Sequence, residues 1–263
     1  MFNKKNSIGI TLIEMILSLV LSILIISGIF EIYLIAKNNY IIQNTLINFQ
    51  ENSEIINHIL KQNIREAGYI GCGRLTRNFP FKNHLSFEIN QNNKIINYHD
   101  SDVKPGTDAI RIWHANNRSA VLVKDMKNYS AMNVSSSIPI KADDNLIISD
   151  CKSAEAFQVK QVSRLMNGTQ KITSKILLDK LYKKNSEINK LEIVSYYIGN
   201  KNSFFSKNID GYQSEIAEGI DDMKIFFTKY PGNEISGVSF EFEFFGLSYF
   251  KLRKHEYLYV ALS

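Results

Sequence analysis

The sequence predicts an α+β fold, with one long N-terminal helix set against a mostly antiparallel sheet. Three observations predict it. An apolar run opens the chain, and a one-sided apolar stripe at helical spacing carries it on to residue 67. Beyond residue 75, short alternating runs recur with no second long helical pattern.

The opening segment "MFNKKNSIG" is polar, with Lys4 and Lys5 as its only charges. From Ile10 to Ala36 the chain is predominantly apolar, about 40 Å as a helix against a hydrocarbon core of about 30 Å. A secretory signal has a shorter apolar core and a small-x-small cleavage site, neither of which fits. Lysines ahead of the run stay on the cytoplasmic side and place the C-terminal bulk outside. The expectation is a single-pass membrane anchor.

The helical pattern does not stop at the membrane. Ile42, Leu46, Phe49, Ile56, Leu60, Ile64 and Ala67 continue it at steps of three, four and seven, one stripe on a helix whose other face is Asn, Gln, Glu, Lys and Ser. The stripe is interrupted at Ser53 and lacks the regular seam of a coiled coil. "GYIGCG" at Gly68–Gly73 ends it, because three glycines in six residues break a helix.

The head reads as strands. Alternating runs occur at Asp108–Ala115, Asn145–Asp150, Ala156–Val162, Lys190–Gly199, Met223–Phe227 and Gly237–Phe245. The polar stretches "NQNNK" (Asn90–Lys94) and "NNRS" (Asn116–Ser119) read as linkers between them. No internal repeat and no linker long enough to separate a second head domain is present.

Composition excludes little by itself. The 263 residues are 44% hydrophobic and 22% charged, ordinary for a globular chain. A formal charge of +5 leaves a nucleic-acid or anionic-membrane partner open, but the basic residues stand singly among acidic ones. Cys72 and Cys151 do not belong to a CxxC pair, against a zinc ribbon or a thioredoxin-like site. Such a pair forms one disulfide in an exported protein and stays as two thiols in the cytosol.

Catalytic patterns are missing. His58, His84, His99, His114 and His255 show no HExxH or HxxEH spacing, and no GxSxG, P-loop or GxGxxG occurs in strand–turn–helix context. Asp143–Asp144 and Asp221–Asp222 are not an EF-hand loop and read as turn residues and solvated carboxylates. The expectation is no enzyme, no cofactor, no metal and no small-molecule substrate.

Glu14 needs explaining. A carboxylate at membrane depth costs about 2.5–3.5 kcal/mol on insertion scales and calls for a partner. Cutting the chain after Gly9 would give Ile10 a new α-amino group one turn before Glu14. An amine and a carboxylate at matching depth on neighbouring chains then neutralise each other in low dielectric.

"GITLIE" at Gly9–Glu14, behind a short basic leader and ahead of an apolar helix, resembles a type IV prepilin N-terminus. The resemblance implies cleavage after Gly9 and methylation of the Ile10 amine by prepilin peptidase, with Glu14 serving subunit docking. Ile10 replaces the Phe most common after the cut. "REAGYIGC" (Arg65–Cys72), "SDCKSAEAFQV" (Ser149–Val159) and "EIAEGIDDMKIFF" (Glu215–Phe227) are similar to blocks of PilW-type minor pilins. The organisation then implied is a leader at 1–9, a transmembrane helix at 10–36, an amphipathic continuation at 37–67 and a periplasmic β-rich head at 68–263.

The implied role is a minor pilin that primes pilus assembly, held first in the bacterial inner membrane and then in the fibre, at or near its tip. Other minor and major pilins and the assembly platform are the implied partners. A pseudopilin of a type II secretion system, or a tip subunit that binds DNA or a surface, is the alternative. Removing Lys4 and Lys5 with the leader leaves 29 basic against 26 acidic residues, a net +3, which by itself does not argue for phosphate binding. An oxidising periplasm favours a Cys72–Cys151 bridge over two buried thiols. Its loop of about 80 residues would stabilise by up to about 4 kcal/mol on the chain-entropy model.

Overall fold

A computed structural model describes residues 12–75, 79–85, 95–97, 101–135, 137–164, 168–229, 235–244 and 256–261. It contains one long helix, α1 (Leu12–Glu66), and a mostly antiparallel β head, an α+β architecture. The chain divides into two compact units, Met1–Glu51 and Asn52–Ser263, so the last four turns of α1 belong to the head.

That terminal part buries the predicted stripe. Ile56, Leu60 and Ile64 are at most 1% exposed, and Ser53, where the apolar stripe is interrupted, is buried too. Asn52 donates through Nδ2 to the Glu218 carbonyl at 2.9 Å, and the Gly68 amide donates to the Trp113 carbonyl at 2.9 Å. The helix stops where expected. Gly68 takes φ 73° and Gly71 φ 99°, left-handed values that glycine adopts without strain.

The strands are β1 (Phe81–Asn83), β2 (Ile95–Asn97), β3 (Ile110–Val121), β4 (Ala131–Ser135), β5 (Asn145–Ser149), β6 (Ala154–Arg164) and β7 (Thr169–Ser174). They are followed by β8 (Glu187–Gly199), β9 (Ser203–Asn208), β10 (Gln213–Glu218), β11 (Ile220–Lys229), β12 (Ile235–Phe244) and β13 (Glu256–Ala261). The larger sheet runs β10-β9-β8-β5-β6-β7-β4, with β3 on the other side of β8 and β2 beyond β3. Only the β1–β6 pairing is parallel among the described strands.

This sheet partly closes on itself. The chain leaving β3 meets β4 through a Leu122–Val134 bridge, and the Val123 amide donates to the Asn133 carbonyl at 2.9 Å. The ring β3-β8-β5-β6-β7-β4 surrounds a core to which each strand contributes: Ala120, Ile188, Leu146, Phe157, Ile172 and Val134. A second core lies where Ile70 and Leu75, just past the helix, cover Trp113, Ile147 and Ile193. The smaller sheet, β11-β12-β13, shows an aromatic row, Phe240 to Phe242 to Phe244, with Phe204 of β9 set edge-on against Phe242.

Two readings of the sequence are corrected. "NNRS" is not a linker but part of β3, where the register with β8 jumps between Ala115 and Ser119. It is a bulge whose polar groups are used locally: Asn116 Oδ1 accepts the Arg118 amide at 2.8 Å, and Asn189 Nδ2 donates to the Asn116 carbonyl at 2.8 Å. Asp221 and Asp222 lie on β11 rather than in a turn, and Asp221 is ion-paired with Lys104. Asp143, by contrast, sits in a turn at φ 68°. The "NQNNK" stretch lies outside the described residues.

Candidate functional site

Gly9 and Ile10 lie outside the described residues, and α1 is described from Leu12 onward. Glu14 stands in the first turn of that helix, on the exterior. From Leu12 to Ile35, the large apolar side chains are between 43% and 77% exposed on every side of the helix. An apolar surface of that extent is not stable in water and requires lipid or other apolar helices around it. The helix is long and apolar enough to cross a membrane.

The polar groups of this segment suit such surroundings. Ser18, Ser22 and Ser27 donate their hydroxyls to the carbonyls of Met15, Ser18 and Leu24 at 2.9, 2.7 and 2.9 Å. Each hydroxyl is satisfied within the helix, so no neighbour is needed for it.

Sequence reasoning passed over Glu31, the second carboxylate of the apolar stretch. The residues between the two acids, Met15–Phe30, rise only about 24 Å as a helix, less than a hydrocarbon core of about 30 Å. With Glu31 at one boundary, Glu14 falls about 4–5 Å inside the other. The signal was visible in the spacing of the two acids and was lost by reading the run through to Ala36.

The second predicted feature is assembled as expected. Cys72 and Cys151 form a disulfide with Cα atoms 5.4 Å apart and a sequence separation of 79 residues. The bond ties the turn after α1 to the loop between β5 and β6. That loop is held tightly: Cys151 takes φ 62°, and Asp150 Oδ1 accepts the amides of Lys152 and Ser153 at 3.1 and 2.9 Å. Lys180 adds an ammonium to the Asp150 carboxylate. Burial acts to raise the Asp150 pKa, but Lys180 and the two amides outweigh it and hold the group below the usual carboxylate range.

Gly71, next to the disulfide, has no room for a side chain. A Cβ there would stand 2.5 Å from Asn189 Oδ1, on a backbone already at φ 99°. Gly71, one of three glycines read only as a helix stop, is therefore also needed to fit the turn against β8.

The fold also collects titratable groups that spacing did not connect. His114 is buried, with Nε2 3.8 Å from Glu66 and 3.9 Å from Glu192. His84, Glu155 and Asp179 converge from three separate segments. No sequence signal points to either group, since the participants are tens of residues apart. A cavity of about 220 Å³ on the sheet is lined by Arg111, Ser195 and Lys207 among others. Arg111 Nε donates to Ser195 Oγ at 2.9 Å and Lys207 is paired with Asp102 at 2.6 Å, so its polar lining is engaged within the protein.

No protein-family model, no curated protein and no solved structure matches this chain.

Proposed function

We propose that this chain is a minor pilin of the type IV pilus, a non-enzymatic subunit that helps prime filament assembly and sits at or near the tip. The observation that carries the reading is a coincidence in the N-terminal line. A short basic leader, Gly9–Ile10, and Glu14 one turn later precede an apolar helix that runs on into a β head. In this reading prepilin peptidase cuts after Gly9 and methylates Ile10. The helix then leaves the inner membrane for the fibre, with Glu14 matched to an α-amine of an adjacent pilin. The disulfide supports an oxidising compartment for the head.

A pseudopilin of a type II secretion system shares this N-terminal chemistry, and the PilW-like blocks of the head favour the pilus. A tip subunit that binds DNA is less supported. Lys104, Lys175, Lys180, Lys190 and Lys207 are each spent on an internal carboxylate rather than gathered into a basic stripe.

The test is genetic. Deleting the gene is expected to abolish piliation and twitching while leaving protein secretion intact, and Glu14→Ala is expected to insert in the membrane yet fail to restore pili. Loss of secretion with normal pili would favour the pseudopilin. Full rescue by Glu14→Ala would show that the carboxylate is dispensable.

A further inference from the structure

We propose that His84, Glu155 and Asp179 form a binding site for one zinc ion in the head, an assignment that stands independently of the pilus reading. His84 lies just past β1, Glu155 is the second residue of β6, and Asp179 lies in the connection between β7 and β8. His84 Nε2 is 2.8 Å from Glu155 Oε2 and 3.9 Å from Asp179 Oδ1, and the three donor atoms all lie within 4.8 Å of one another.

Backbone bonds set all three ligands in place. The His84 amide donates to the Ala156 carbonyl at 3.0 Å, which fixes the imidazole beside the neighbouring Glu155. The amides of Asp179 and Lys180 donate to Glu155 Oε2 and Oε1 at 2.8 and 3.1 Å, which locks the β7–β8 connection onto the same carboxylate. Lys82 lies 3.4 Å from Asp179 Oδ2, leaving Oδ1 turned to His84.

The donor set selects the ion. One imidazole and two carboxylates suit zinc, whereas calcium takes six or more oxygens. Bond lengths of about 2.1 Å in a tetrahedron place ligand atoms about 3.4 Å apart. The two His84 separations bracket that value and the two carboxylates lie within 4.8 Å of each other, so binding needs shifts of about 0.5–1.5 Å. Asp179 can supply them because its side chain is 53% exposed, while Glu155 is almost wholly buried. The same opening admits the ion and a water for the fourth position.

Tyr182 adds a further polar group. Its hydroxyl is buried without a partner in hydrogen-bonding geometry among the described residues. It stands beside Glu155 and Ser153. The ion replaces the His84–Glu155 hydrogen bond and offsets two carboxylate charges in a corner already pinned by the disulfide.

The experiment uses the full-length untagged chain in detergent, stripped with EDTA and titrated with zinc chloride against a chromogenic chelator. One zinc per chain is expected, with Tm raised by about 5–10 °C at zinc 100-fold above Kd. Asp179→Asn should melt like the wild type without metal yet bind zinc at least about 10-fold more weakly, and His84→Gln should do the same. The site is overturned if zinc uptake is not saturable, or if Asp179→Asn binds as tightly as the wild type. Equal affinity for calcium would overturn the choice of ion.

Discussion

Two stretches of one helix behave in opposite ways. Between Leu12 and Ile35, α1 turns apolar side chains outward on all sides, whereas between Asn52 and Glu66 it hides Ile56, Leu60 and Ile64 and leaves Glu54, His58, Lys61, Gln62 and Arg65 in water. Backbone conformation is the same in both, so the secondary structure says nothing about the difference. The distribution of apolar residues around the axis does. An all-round apolar surface fits a helix that moves between lipid and other apolar helices, and a single stripe fits one face fixed permanently on a sheet.

The sharpest way to break this contrast is to shorten one side chain in each stretch. Leu60→Ala leaves a cavity in the buried face and is expected to cost about 2–5 kcal/mol in thermal unfolding of the detergent-solubilised chain. Leu24→Ala removes a side chain that is 63% exposed and is expected to leave head unfolding within about 0.5 kcal/mol of the wild type. Similar losses from both substitutions would erase the distinction.

The disulfide extends the comparison to the junction just past the buried stretch. Cys72→Ser is expected to lower head stability by about 2–4 kcal/mol under oxidising conditions. The wild type should fall to the same level in reductant while the variant is unaffected by it. Equal wild-type melting with and without reductant would contradict this.

The smallest effect is electrostatic. The folded pKa of Asp150 is depressed, so its contribution is present above the unfolded value of about 3.9 and is lost as pH falls through the folded value. Asp150→Asn is expected to cost up to about 1 kcal/mol at pH 7, because the group is partly solvated. The difference from the wild type should shrink as the pH falls from about 5 toward 2. A difference that grows in acid would reverse the sign assigned to Asp150.

The sequence made some of this legible and hid the rest for identifiable reasons. The helix was readable because fifty-five residues of consistent pattern outvote local exceptions such as Ser53. Strands β5, β6, β8, β11 and β12 were readable because each has a run of apolar residues rich in β-branched or aromatic types. Strands β4 ("AMNVS"), β7 ("TQKITS") and β9 ("SFFSKN") are short and carry polar residues that look like loop, and only pairing with neighbours makes them strands. Closure of the sheet through Leu122 and Val134, like the gathering of His84, Glu155 and Asp179, depends on contacts between distant segments that spacing does not encode. Cys72 and Cys151 were paired by compartment rather than by pattern.

The central claim is that the outward-facing apolar helix is the start of a processed pilin. The most direct measurement is the N-terminal peptide mass of the protein isolated from its own cell envelope. The expected result is a chain beginning at Ile10 with one methyl group on its α-amine, and loss of that processing when Gly9 is replaced by a bulkier residue. A mature chain that still begins at Met1, or one processed normally despite the Gly9 replacement, would contradict it.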